Sequence, residues 1–118
     1  VLYTDCDVIF AAEVVPELEE NACEYFAVAP ESVQDDYANM NTGVMLMNTE
    51  RLRESLPKFR EYISHHLAAL ERESWDEAAY RWFYRDRNGP LWDRLRPELN
   101  WKPYWGENPQ ANIIHKVA

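Results

Sequence analysis

Hydrophobic and polar positions follow two different periods along this chain. Val1 to Thr4 is a short apolar run closed by Asp5, and Val8 to Phe10 resumes the apolar character, which predicts a buried strand ending at Asp5. Ala11 to Asn21 carries Pro16 and an acidic run, so a loop or one helical turn is expected there. EYFAVAPE, from Glu24 to Glu31, alternates and ends at a proline, as a second strand would. NTGVMLMN, from Asn41 to Asn48, reads as a third strand, with Gly43 near a start whose polar side chains can face a cleft.

From Thr49 the period lengthens. Leu52, Leu56, Phe59, Ile63, Leu67 and Leu70 mark one face of a helix, with Thr49 as N-cap and Pro57 expected to bend or interrupt it early. Ser74-Trp75-Asp76-Glu77 fits a capping box and predicts a short helix through AAYRWFYRD. Arg87 to Pro90 forces a turn, and the proline-rich tail closes on the apolar strand Ile113 to His115. His65 and His66 are adjacent on the long helix and point about a hundred degrees apart, so they form no metal pair.

Composition narrows this picture. The 118 residues suffice for one domain with a real core, and a 47% hydrophobic content with five Trp and seven Tyr belongs to a folded globule. The net charge of −9 argues against a nucleic-acid partner. It would equally repel a diphosphate, unless a divalent cation inverts the sign locally, so an acidic protein that handles phosphates should carry a metal. Cys6 and Cys23 lack disulfide or zinc spacing and are expected to be free and buried. No stretch has the apolar length to span a membrane and no basic leader precedes the first strand, which favours a cytoplasmic setting, with the Golgi lumen as the eukaryotic alternative. Hydrophobic strands at both chain ends suggest a piece of a longer protein.

The chemistry centres on Asp5 and Asp7. Two carboxylates one residue apart at a strand end converge on the crevice where α/β folds bind ligands, and such hard oxygens suit Mg2+ or Mn2+; the alternative is a solvated loop. The order of the segments favours the first reading. VLYTDCDVIF, NTGVMLMNTERLR, WDEAAYRWFY, LRPELNWKPYW and IIHKVA resemble, in sequence order, the motif segments of family 8 glycosyltransferases and their GT-A relatives.

That resemblance implies an α/β fold, a GT-A mixed sheet flanked by helices, present from the metal-binding strand onward. Residues 1–118 would be the C-terminal metal- and acceptor-binding part, without the N-terminal nucleotide-binding half. It implies Mn2+ (or Mg2+) on Asp5, Asp7 and His115, and a nucleotide-diphosphate sugar, UDP-linked by expectation, as donor. Asn41, Thr42, Gly43 and Asp76 would line the donor sugar, with Asp76 and Glu77 at the reacting carbon. A hexose would pass to an acceptor hydroxyl with retention of configuration.

Two departures qualify it. Glu77 stands where the family has Gln, so it either stabilises the reacting centre, even as nucleophile, or only closes the capping box. After His115 the chain continues Lys116-Val117-Ala118, without the family's phosphate loop. Among the aromatics, Trp82 reads as core, while Trp101 and Trp105 are the better candidates for stacking on a sugar. Two rivals remain: a haloacid-dehalogenase-like phosphatase using Asp5 and Asp7, for which Asp35-Asp36 lacks a preceding strand, and a non-catalytic sugar-binding domain.

Overall fold

The computed structural model describes residues 1–20, 22–73 and 75–116. In chain order the elements are β1 (Leu2–Thr4), β2 (Val8–Phe10), α1 (Val15–Glu20), β3 (Phe26–Pro30), β4 (Met40–Met47), α2 (Thr49–His65), α3 (Leu67–Glu71) and α4 (Asp76–Phe83). They are followed by β5 (Arg85–Asp86), β6 (Gly89–Pro90), β7 (Asp93–Arg94), two 3-10 turns at Pro97–Asn100 and Pro103–Trp105, and β8 (Ile113–His115). The main sheet runs β1-β4-β3-β7, antiparallel except for the parallel β3–β7 pair, and β2 pairs with β8 in a second ribbon. The result is a mixed sheet flanked by helices.

Both faces of the sheet are covered. Phe26, Val28, Met40 and Met45 meet Phe59, Leu70, Ala78, Ala79, Tyr84 and Trp92 in an aromatic core beneath α2, α3 and α4. On the other face Ala27, Ala29, Val44 and Leu46 meet Val14, Leu18, Leu95, Leu99 and Ile113. Neighbouring residues of β3 therefore serve opposite cores. The strand is buried throughout instead of alternating, as expected of a strand covered on both sides.

β1 is less buried than its apolar run suggests. It is a sheet edge with β4 as its neighbour, leaving Val1 73% and Tyr3 42% exposed. Cys6 likewise lies exposed in the turn after β1, whereas Cys23 is half-buried and burial pushes its thiol pKa up. The cap of α2 is Asn48, whose side chain accepts from the Arg51 N–H, one residue before the expected Thr49. The helix runs past Pro57, anchored by Phe59 in the aromatic core, and stops at His66, so the predicted stripe is split between two helices. Leu70 is buried, but Leu67 and Leu56 face solvent.

The capping-box serine, Ser74, lies outside the described residues. Trp75 holds the N-cap position of α4 at φ 43°, in the left-handed region that a bulky residue rarely adopts. The helix ends at Phe83, earlier than expected, because Arg85–Asp86 folds back on Gly89–Pro90 as a hairpin.

Candidate functional site

Three elements bring the metal candidates together. Asp5 and Asp7 stand in the turn between β1 and β2, where the Asp5 N–H donates to Gly43 O at 2.8 Å. β2 pairs with β8 so that Val8 opposes His115, and the Lys116 N–H closes on Asp7 O at 2.8 Å. His115 Nε2 then lies 3.0 Å from Asp7 Oδ1 and 3.8 Å from Asp5 Oδ2.

The ligand atoms of Asp5, Asp7 and His115 all lie within 4.8 Å of one another. Donors about 2.1 Å from a common ion lie about 3 to 4 Å apart, so the three need only a small closure to share one. Two hard carboxylates and one imidazole suit Mn2+ or Mg2+, and the residues present fit such an ion. The carboxylates are open to solvent, at 39% and 51% side-chain exposure, while His115 is buried at 6%. Tyr3 donates to Asp5 Oδ1 at 2.8 Å, and that bond, ahead of burial and nearby acidic charge, pushes its phenol up to about 12. Asp76 contributes to this field from the first turn of α4, which brings that helix start close to the carboxylate turn.

Gly43 is needed for a reason other than sugar contact. A Cβ added there would lie 2.2 Å from His115 Cε1 and 2.5 Å from His115 Nδ1. Real Cβ atoms do not approach so closely, so the His115 ring occupies the space this glycine vacates. His115 Nδ1 itself is buried without a partner.

Behind this triad runs a buried polar seam. Asn41 is 5% exposed, and all its amide positions are filled within the chain. Its Nδ2 donates to Glu31 Oε2 at 2.6 Å and to Glu77 Oε1 at 2.9 Å. Its Oδ1 accepts from the Gly43 N–H and from Asn100 Nδ2, both at 2.8 Å. The Thr42 N–H also reaches Glu77 Oε1, at 3.4 Å, and Arg81 pairs with Glu77 Oε2 at 2.9 Å. Burial foremost, then the hydrogen bond and charge of Glu31, push the Glu77 carboxyl up to about 7, against the pull of Thr42 and Arg81.

The aromatic candidates are redistributed. Trp101 is 8% exposed, donates to Gly106 O and meets Trp105 edge-on, so it is not open for stacking. Trp82 is half-buried against the aromatic core. Trp105 is half-buried, while Trp75 and Tyr104 are more open, at 50% and 55%, and Tyr104 donates its hydroxyl to Glu31 O.

No protein-family model matches this chain, and no curated protein matches its sequence. The solved structure of the apo-form glycosyltransferase GlyE from Streptococcus pneumoniae TIGR4 superposes on all of it, with a TM-score of 0.79 at 20% sequence identity. The two share a fold. The chain spans 33% of the GlyE chain.

Three members of the seam, Glu31, Arg81 and Asn100, escaped the sequence reading, as did Lys102 nearby, fully buried with its Nζ donating to Pro30 O at 2.5 Å. Lys102 left one signal, a lysine set between two tryptophans and beside a proline in NWKPYW. Glu31 and Arg81 left none, since each looks like an ordinary surface charge. Among the described residues no helix is long and apolar enough to cross a membrane.

Proposed function

We propose that this chain is the metal- and acceptor-binding part of a GT-A type glycosyltransferase resembling family 8, which moves a hexose from a nucleotide-diphosphate sugar to an acceptor hydroxyl. The observation that carries the reading is the convergence of Asp5, Asp7 and His115 within 4.8 Å, on a fold shared with a glycosyltransferase. Asp5, Asp7 and His115 would hold Mn2+ or Mg2+, with Nε2 as the ring nitrogen that His115 turns toward the two carboxylates. The ion supplies charge neutralisation at the departing diphosphate.

The chain's own residues do the positioning. Asp76, at the start of α4, accepts from donor-sugar hydroxyls. Glu77, oriented by Asn41, Thr42 and Arg81, faces the reacting carbon, where its charge stabilises developing positive charge. Asn41 serves the sugar through the two carboxylates it holds, and Gly43 serves it by admitting His115. Retention of configuration is part of the proposal, and NMR of the first-formed product reads it directly.

The phosphatase alternative is weaker, because residues 31–39, which carry Asp35 and Asp36, form bends and turns without the strand that chemistry needs. Calorimetric titration of Mn2+, with and without UDP, on the natural full-length protein and its Asp7→Ala variant tests the reading. UDP should tighten Mn2+ binding about tenfold or more, and the substitution should abolish that coupling. A wild-type protein that binds neither ligand sinks the proposal; coupled binding without turnover leaves a sugar-binding domain.

A further inference from the structure

Two carboxylates meet on one atom of the buried seam. Asn41 Nδ2 donates one N–H to Glu31 Oε2 at 2.6 Å and the other to Glu77 Oε1 at 2.9 Å, so those two oxygens are no farther apart than the two bonds laid end to end. The amide cannot turn away from either. Its Oδ1 is held by the Gly43 N–H and by Asn100 Nδ2, and the residue is buried. Glu31 follows Pro30, the last residue of β3, and Glu77 stands in the first turn of α4, so the amide clamps two elements as well as two acids.

The charges around the clamp do not balance while both acids are ionised. Arg81, from α4, meets Glu77 Oε2 at 2.9 Å, and the Thr42 N–H, from β4, reaches Glu77 Oε1. Among the described residues no cation comes within ion-pair distance of the Glu31 carboxylate. Lys102, from the 3-10 region, spends its Nζ on Pro30 O, and Tyr104 its hydroxyl on Glu31 O, although both feel the field of the two carboxylates. Asp76, beside Glu77, adds negative charge and accepts the Glu77 N–H. Two acids on one amide with one arginine in contact come closest to neutrality with one proton between them. The Glu77 carboxyl accordingly sits at about 7, raised by burial first and then by the hydrogen bond and charge of Glu31.

We propose that Glu31 is a positioning residue for the transfer: clamped to Glu77 through Asn41, it makes the two carboxyls a pair that holds one proton, so that Glu77 faces the donor sugar ionised only once that proton has left to solvent. The consequence for turnover rests on the glycosyltransferase reading, whereas the pairing itself does not. Glu31 needs no contact with the sugar for this. It acts on the reacting centre by deciding when its neighbour is charged.

Carboxyl 13C NMR on the natural full-length protein reads the pair without any substitution. In wild type the Glu31 resonance should shift a second time near pH 7, where Glu77 titrates, because paired acids report each other's proton. Glu31→Gln should bring the Glu77 titration down by about one pH unit. With Mn2+ and UDP-glucose or UDP-galactose, the acid limb of the kcat profile should follow it down, so that kcat at pH 6 relative to pH 8 rises about fivefold, while UDP affinity changes less than about twofold. A merely structural loss would lower kcat at every pH and leave that ratio alone. A wild-type Glu31 resonance silent near pH 7 overturns the pairing even if Glu31→Gln fails to fold, and so does an unmoved Glu77 titration in that variant. An unmoved kcat ratio, or turnover with neither donor, overturns the role in transfer. A wild-type protein without Mn2+-dependent UDP binding overturns the transferase reading instead, and leaves the NMR result to decide the pairing.

Discussion

The two halves of β4 are equally buried and differently held. Val44, Met45 and Leu46 are stabilised by non-directional apolar contact with two hydrophobic clusters, whereas Asn41 and Thr42, a few residues earlier, are surrounded by named hydrogen-bond partners. Apolar contact tolerates replacement by anything of similar volume. A buried polar group left without its partner loses more than the bond was worth. The apolar half thus supports stability broadly, and the polar half makes one arrangement of Glu31, Glu77 and His115 far better than its alternatives.

Substitutions can break this contrast in graded steps. The largest stability loss is expected from Phe26→Ala, which removes a fully buried ring in contact with Tyr80, Tyr84 and Trp92. Urea unfolding should show a loss of about 3 to 5 kcal/mol. Next comes Gly43→Ala, whose methyl group collides with His115. It should cost about 1 to 3 kcal/mol and weaken Mn2+ binding about 10- to 100-fold. A Gly43→Ala protein with wild-type Mn2+ affinity would remove His115 from the metal site.

A smaller and pH-dependent effect belongs to Glu77. Its folded pKa is raised from the ordinary 4.5 to about 7, so the stability it contributes is fully present below 4.5 and is lost as pH rises to about 7. Stability of the wild type should therefore fall between about pH 4.5 and 7, and Glu77→Gln should flatten that slope in unfolding curves measured across the range. The smallest change is expected of Glu24→Gln, which breaks an exposed pair with Arg51 at 3.2 Å. Surface pairs of this kind contribute about 0 to 1 kcal/mol, so its unfolding midpoint should barely move.

What the residue pattern reveals follows the same contrast. The strands around Phe26 and Val44 are legible as short, nearly continuous apolar runs, and the helix face through Leu52, Phe59 and Ile63 because apolar positions recur there at the helical period. The split after His65 is not, since Leu67 and Leu70 keep that period across a break made by the backbone of His66. The convergence of Asp5, Asp7 and His115 was expected through the order of the motif segments, because no local spacing links positions so far apart. Asn41 was noticed as a polar residue at a strand start, but three of its four partners, Glu31, Glu77 and Asn100, come from other segments and only folding assembles them. Lys102 is least legible of all. A lysine in a loop is ordinarily solvated, and this one is buried because Pro30 and Trp105 close over it.

The pairing of β2 with β8 also has a kinetic meaning. Asp7 and His115 are 108 positions apart, and closing a flexible loop of that size costs about 4 kcal/mol of chain entropy. Contacts of such long sequence separation tend to form late. An ion held across them would act as a clasp on the two ends of the fold, slowing their separation more than it hastens their meeting. In stopped-flow refolding, the ability to capture Mn2+ should appear after the tryptophan fluorescence of the aromatic core has settled, so that metal uptake times the last step of folding.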